Sequence, residues 1–273
     1  MYTHLEQRGM VEPPVNVATL SEMKQRGEPI ACLTAYDASF AALVDAAGTD
    51  VVLVGDSLGM VIQGHDTTVP VTVDDIVYHT RAVARGLRRA FLIADMPFMS
   101  YTSPEQALDN AVRLMQEGGA MMIKLEGGEG QVAIVEHLAR HDIPVCAHLG
   151  LKPQSVHKIG GFRVQGRDPG QATAMVDSAR NLQNAGADVV LLECVPNEVG
   201  EQTTAALSVP VIGNGDVLTW RDARERRDDS GCAAVMVGRW ALAKPWIFKE
   251  HAEARDLPLS PEERLAVVRR YVE

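Results

Sequence analysis

Eight short apolar runs punctuate the chain, and the stretches between them decide what it can fold into. The runs are 30–33, 51–54, 91–94, 120–123, 144–147, 189–192, 209–212 and 233–237. Several, such as Val51-Val52-Leu53-Val54 and Val189-Val190-Leu191-Leu192, are continuous and rich in β-branched residues. That is the pattern of strands buried on both faces. The intervening stretches carry helical spacing instead: Leu20 and Met23 within 18–26, Phe40-Leu43-Val44, Ala107-Ala111-Leu114-Met115 and Val132-Val135-Leu138. Two of these intervals end in Ala46-Ala47-Gly48 and Ala185-Gly186-Ala187, helix stops that lead into the next strand. Eight β units alternating with helices in 273 residues predict one α/β domain, a single (β/α)8 TIM barrel over residues 1–273. Closure buries every strand on both faces and leaves no sheet edge. An open doubly wound sheet is the alternative. It usually carries a glycine-rich loop after its first strand, where this chain has Thr34-Ala35-Tyr36-Asp37.

A net charge of -10 argues against nonspecific nucleic-acid binding, and no nucleic-acid partner is expected. No apolar run approaches the roughly 18 residues that span a bilayer. The polar N-terminal stretch, with Pro13-Pro14, is unlike a signal peptide, so a cytoplasmic protein without a membrane partner is expected. Cys32, Cys146, Cys194 and Cys232 are scattered, lie in or beside apolar runs and form no CxxC pair; buried, reduced thiols are expected.

In such barrels the chemistry sits at the C-terminal ends of the strands. The second run ends in Asp56-Ser57 between Gly55 and Gly59, the third in Asp95, the fourth in Lys124-Leu125-Glu126, the fifth in His148 and the sixth in Glu193. Alone, Asp56 reads equally well as a helix cap. With Asp95 and Glu126 on the next two strands, three carboxylates converge at the mouth, and hard oxygen donors of this kind suit Mg²⁺. Lys124, two residues before Glu126, shares its face and can neutralise a substrate carboxylate or a developing oxyanion. Charge balance among the acids is the simpler role for it. Glu193 stands on the far side of the barrel in an apolar frame that suits a group moving a proton, or a buried hydrogen-bond acceptor. His148 fits a contact to a substrate carboxyl or keto group, or a structural role. Together these groups suggest carbon-acid chemistry, in which a cation chelated by a 2-oxo acid polarises its keto group and stabilises the enolate. The long connections 55–74 and 148–170 are expected to be functional loops.

The residues also carry a resemblance. LTAYDASFA (33–41), VGDSLGMVIQGHDTTVPVT (54–72), YHTRAV (78–83), ADMPF (94–98), KLEGG (124–128), HLGLKPQSV (148–156), GGFRVQGR (160–167) and LLECVP (191–196) resemble the ketopantoate hydroxymethyltransferase family, over about residues 15–212. The resemblance implies a (β/α)8 enzyme of pantothenate synthesis that binds Mg²⁺ and 3-methyl-2-oxobutanoate. It would take a one-carbon unit from 5,10-methylenetetrahydrofolate and give ketopantoate. Asp56, Asp95 and Glu126 would be metal ligands, direct or through water. Ser57, Asp95 and Lys124 would contact the oxo acid, with Asp56 and His148 beside them, and Glu193 would accept the proton. A homo-oligomer is implied as well. From Val209 the text changes: GNGD (213–216) and MVGR (236–239) resemble the closing strands of FMN-dependent tRNA-dihydrouridine synthases, over about 209–273. Asn214, Gly215, Gly238 and Arg239 are therefore candidate phosphate-binding residues, at a place where backbone N–H groups, a helix N-terminus and a guanidinium suit an anion. The chain thus reads as a composite, transferase-like over 1–208 and synthase-like over 209–273, with FMN binding or an inactive scaffold as the alternatives to the transferase function.

Overall fold

The computed structural model describes residues 13–215 and 217–238, together with 244, 247, 250, 254–258, 260, 262 and 263. Its eight strands are β1 (Ile30–Thr34), β2 (Val51–Val54), β3 (Phe91–Asp95), β4 (Met122–Glu126), β5 (Val145–Gly150), β6 (Val189–Glu193), β7 (Val211–Asn214) and β8 (Ala234–Val237). All pair in parallel and in chain order, and β8 returns to β1 to close the barrel. Helix α1 (Val17–Arg26) precedes the first strand. Between strands lie α2 (Ala38–Ala46), α3 (Leu58–Val61), α4 (Val73–Gly86), α5 (Pro104–Gln116), α6 (Val132–Ala139), α7 (Val156–Ile159), α8 (Pro169–Asn184), α9 (Asn197–Ala206) and α10 (Trp220–Ser230).

Local sequence sets these boundaries. Asn16, Asp37, Ser103 and Asp168 each accept from a first-turn amide of the helix they precede, and Pro104 and Pro169 occupy positions where no N–H is needed. Thr72 with Asp75, and Thr219 with Asp222, form reciprocal capping boxes on α4 and α10. The fourth and seventh strands start two residues later than their apolar runs. Ala120 is still held by the end of α5 through Leu114 O, and Pro210 has no N–H to give a ladder. Conversely β4, β5 and β6 run on past their apolar residues into polar ones.

Strand parity explains why. Ile30, Cys32, Val51, Leu53, Phe91, Ile93, Met122, Cys146, Val189, Leu191, Ile212, Ala234 and Met236 form the barrel's inner core. Two residues further along β3 to β7, on the same inward face, stand Asp95, Lys124, His148, Glu193 and Asn214. The apolar interior therefore gives way to ionisable groups at the C-terminal mouth. The inner core also takes in Val15, Leu20 and Met23, so the α1 segment joins it before β1 begins. Lys24 of α1 donates to Leu207 O and Val209 O, at 2.9 and 2.6 Å, and so ties this segment to the connection entering β7.

The connection 148–170 is less irregular than its composition suggests, because it folds into a 3-10 turn (Pro153–Ser155) and α7. Cys32, Cys146 and Cys232 are buried as expected, whereas Cys194 is only half-buried and has φ +49°. Among the described residues no helix is long and apolar enough to cross a membrane.

One glycine is indispensable to the mouth. Gly150 ends β5 at φ +90°, and a Cβ there would lie 2.2 Å from Glu193 O. That carbonyl also accepts from Leu151 N at 2.8 Å. Gly150→Ala is expected to cost about 2 kcal/mol through backbone strain and the clash. Urea denaturation measures it; an unchanged midpoint would show that the β6 end can move aside.

Candidate active site at the barrel mouth

Five ionisable side chains from four neighbouring strand ends meet below the surface: Asp56, Asp95, Lys124, Glu126 and His148, each at most 5% exposed. Asp56 is not a helix cap. The N-cap of α3 is Ser57, which makes no side-chain capping bond, and the Asp56 carboxylate instead accepts from Gln154 Nε2 at 2.8 Å. Its own N–H donates to Asp95 Oδ2 at 3.1 Å, and a Cβ at Gly55 would crowd Ser57 Oγ at 3.1 Å. Asp95 Oδ1 lies 2.5 Å from Lys124 Nζ, though not along a hydrogen-bonding direction. Lys124 Nζ is 3.3 Å from His148 Nδ1, and that ring atom is 3.4 Å from Glu126 Oε1.

Glu193 is not the separate carboxylate that its place in the sequence suggests. His148 Nε2 lies 3.4 Å from Glu193 Oε2, so the imidazole bridges Glu126 and Glu193 and joins both sides of the mouth. Nor is Glu193 sealed by its apolar frame; its side chain is 21% exposed and faces the opening. Ser57 Oγ is 2.7 Å from Tyr36 Oη, and Tyr36 O is held by His79 Nδ1 at 2.7 Å.

The charges do not balance. Burial, and next the Asp95 carboxylate, push the Asp56 pKa up to about 8 against the pull of Lys124. Burial also opposes the Lys124 charge, but Asp95, Glu126 and Asp56 outweigh it and raise its pKa. Burial and Lys124 disfavour a charged His148, and the nearby Glu126 and Glu193 carboxylates more than compensate, raising it to about 9. Burial works against Glu126 too, yet His148 and Lys124 bring its pKa below the usual value. Burial raises Asp95 as well, despite Lys124 beside it, so Asp56 and Asp95 are the acids left short of counter-charge. A divalent cation fits that deficit and the all-oxygen donors around it. Among the described residues, no three His, Cys, Asp or Glu side chains converge closely enough to enclose a metal ion by themselves. The donor set therefore suits a cation held by one or two carboxylates, waters and ligand oxygens.

Three of the four candidate phosphate residues lie among the described residues. Asn214 ends β7 beside Glu193, its register partner, and Gly215 follows at φ +151°. Both line a cleft with Arg226 and Ser230 of α10. Gly238 is exposed after β8, and Arg239 lies outside the described residues. Three buried or half-buried site residues escape the strand-end rule: Tyr36, Tyr101 and Gln154. Gln154 lies within HLGLKPQSV and Tyr36 within LTAYDASFA, so only the local text marked them.

A closed parallel α/β barrel whose mouth holds a buried cluster of acids, a lysine and a histidine defines a barrel enzyme. The chain matches the family described as ketopantoate hydroxymethyltransferase over residues 14–223, and that described as dihydrouridine synthase (Dus) over 197–272. It belongs to the ketopantoate hydroxymethyltransferase family. A 3-methyl-2-oxobutanoate hydroxymethyltransferase from Halorhodospira halophila is 61% identical over 201 residues, 74% of this chain and 73% of the relative. One of the same name from Nitrosococcus oceani is 60% identical over 201 residues, 74% of this chain and 76% of the relative. Solved structures share the fold: 2,3-dimethylmalate lyase, a PEP mutase/isocitrate lyase superfamily member, has a TM-score of 0.60 at 18% identity, covering 94% of this chain and 95% of that one. Phosphonopyruvate hydrolase, solved with oxalate and Mg²⁺, has a TM-score of 0.61 at 16% identity, covering 95% and 100%.

Proposed function

We propose that this chain forms ketopantoate by transferring a hydroxymethyl group from 5,10-methylenetetrahydrofolate to 3-methyl-2-oxobutanoate, with Mg²⁺. The observation that carries the reading is the uncompensated acid cluster of Asp56, Asp95, Lys124 and Glu126, reaching Glu193 through His148. The names of the relatives support the oxo acid as the substrate. Asp56 and Asp95 would hold the cation, with Glu126 behind a water, and the bound cation would polarise the keto oxygen of the oxo acid. Ser57, steadied by Tyr36, would contact the substrate. Lys124 would place a fixed positive charge beside the oxygen that gains electron density. Glu193 Oε2 would take the proton from carbon 3, and His148 would keep that carboxylate aimed inward. We read the fold as one (β/α)8 TIM barrel over 1–273, transferase-like over 1–208 and synthase-like in its two closing units. The overlap of the two family matches at 197–223 supports a junction there. The homo-oligomer and the cytoplasmic setting belong to the same reading.

The test is ketopantoate formation from the two substrates. Activity is expected to vanish with chelator and to return with Mg²⁺; a folded sample inactive at every Mg²⁺ concentration sinks the reading. The synthase match motivates a second reading, FMN or phosphate binding at Asn214, Gly215, Gly238 and Arg239. Titration with free FMN separates the two, since flavin fluorescence quenched by micromolar protein would favour the second.

A further inference from the structure

Gln154, on the 3-10 turn after β5, is buried to 5% exposure and makes contacts that no packing role requires. Its Nε2 donates to Asp56 Oδ2 at 2.8 Å and to Met96 O at 2.9 Å. Its Oε1 accepts from Tyr101 Oη at 2.5 Å, and its backbone N–H donates to Glu126 Oε2 at 3.2 Å. A backbone carbonyl only accepts, so Met96 O fixes which end of the amide is nitrogen, and the same nitrogen must face Asp56. Tyr101 has one hydroxyl proton; with that given to Gln154, its oxygen accepts from Glu126 N at 3.3 Å. The bonds form one directed chain, from Glu126 N–H through Tyr101 and Gln154 to Asp56. A return bond runs from Gln154 N–H to the Glu126 carboxylate.

This chain binds one oxygen of each acid. Among the described residues Asp56 Oδ1 accepts no hydrogen bond, and Glu126 Oε1 has only His148 beside it at 3.4 Å. An amide offering both of its protons, one to the Asp56 carboxylate and one to Met96 O, settles how that carboxylate is turned without consuming its free oxygen. Resting on the metal-site reading above, we propose that Gln154 is a positioning residue that presents Asp56 to the cation and that Tyr101 fixes the Gln154 amide. It also couples the connections after β2, β3 and β5 to the end of β4, through Asp56, Met96 with Tyr101, Gln154 and Glu126 respectively.

The experiment is isothermal titration of the chelator-stripped full chain with Mg²⁺ alone, paired with the Mg²⁺ dependence of turnover. Gln154→Met keeps the length and loses the donors. It is expected to weaken Mg²⁺ binding about 10–100-fold, the usual effect of removing a group that orients a ligand. Saturating Mg²⁺ should then restore kcat to within about threefold of the wild type, because the defect lies in occupancy. Tyr101→Phe removes one hydrogen bond and should weaken binding by about 2–10-fold. It carries the test if Gln154→Met does not fold. Unchanged Mg²⁺ affinity in the variants, or a kcat that high Mg²⁺ cannot rescue, overturns the proposal and leaves Gln154 a structural brace. Failure of the wild type itself to bind Mg²⁺ overturns the metal-site reading and this proposal together.

Discussion

Glu193→Gln is expected to lower kcat by about 10²–10⁴-fold, the range spanned by the loss of a general base, with little change in KM for the oxo acid. The amide preserves size and can still accept from His148, whose Nε2 lies 3.4 Å away, so the ring and the cluster behind it stay in place. What the amide lacks is the ability to take up a proton. Because the Glu193 side chain is 21% exposed and sits at the strand's end, its neutral isostere should leave the thermal midpoint within about 2 °C of the wild type. Fold and catalysis therefore separate cleanly in this variant. Exchange of the carbon-3 proton of 3-methyl-2-oxobutanoate with deuterated water isolates the step from any folate chemistry. Loss of exchange with retained Mg²⁺ binding is the expected pair of results. Exchange within a few-fold of the wild type would make Glu193 a hydrogen-bond acceptor for His148 and remove it from the chemistry.

The closed barrel was legible because β2, β3 and β6 are apolar on both faces and intervening helices carry their own stops. Gly48 and Gly186 mark helix stops in the sequence, whereas the caps Asp37, Ser103 and Thr219 emerge in the folded chain. The site was legible to the extent that strand parity reaches: Lys124 and Glu126 do share the inward face, and Asp95 joins them across the ladder through its register with Lys124. Two things were hidden. Periodicity says nothing of how strand ends are spaced around a closed mouth, so Glu193 looked remote while His148 in fact links it to Glu126. And groups delivered by connections have no parity at all: Gln154 and Tyr101 reach the cluster through loop geometry that only the folded chain displays.

The closing strands show the same limit from the other side. The two family matches overlap over residues 197–223, and β7 and β8 complete the barrel with continuous register to β6 and β1, with Ile212, Ala234 and Met236 filling the inner core. Parallel ladders read backbone and side-chain volume, which two barrel families hold in common. What sequence cannot exchange so freely is the mouth. Asn214, which lies within both family matches, stands next to Glu193 in register at that mouth.

Asp56→Asn should make the metal-free protein more stable while abolishing Mg²⁺-dependent activity. Burial and the neighbouring Asp95 raise the Asp56 pKa to about 8, so the folded chain holds a proton that the unfolded chain releases near pH 4. Between those values the folded state binds more protons, and stability must fall as pH rises. His148 adds a second fall from its ordinary value near 6.5 up to about 9, since its folded pKa is also raised. The wild type in chelator is thus expected to lose stability across about pH 4–9. In Asp56→Asn the decline should be shallower, carried by His148 and by Asp95, whose pKa burial also raises. Replacing a poorly compensated buried charge with a neutral group of the same shape is expected to add about 1–4 kcal/mol near pH 8. Added Mg²⁺ should reverse the order: it stabilises the wild type, most strongly at high pH where Asp56 is ionised, and does little for the variant, which lacks the ligand charge. Thermal midpoints of both proteins from pH 5 to pH 9, with chelator and with Mg²⁺, make the comparison. A variant less stable than the wild type at pH 8 in chelator would mean that Asp56 is already neutralised by groups on this chain, and the argument for a cation at the mouth would fall with it.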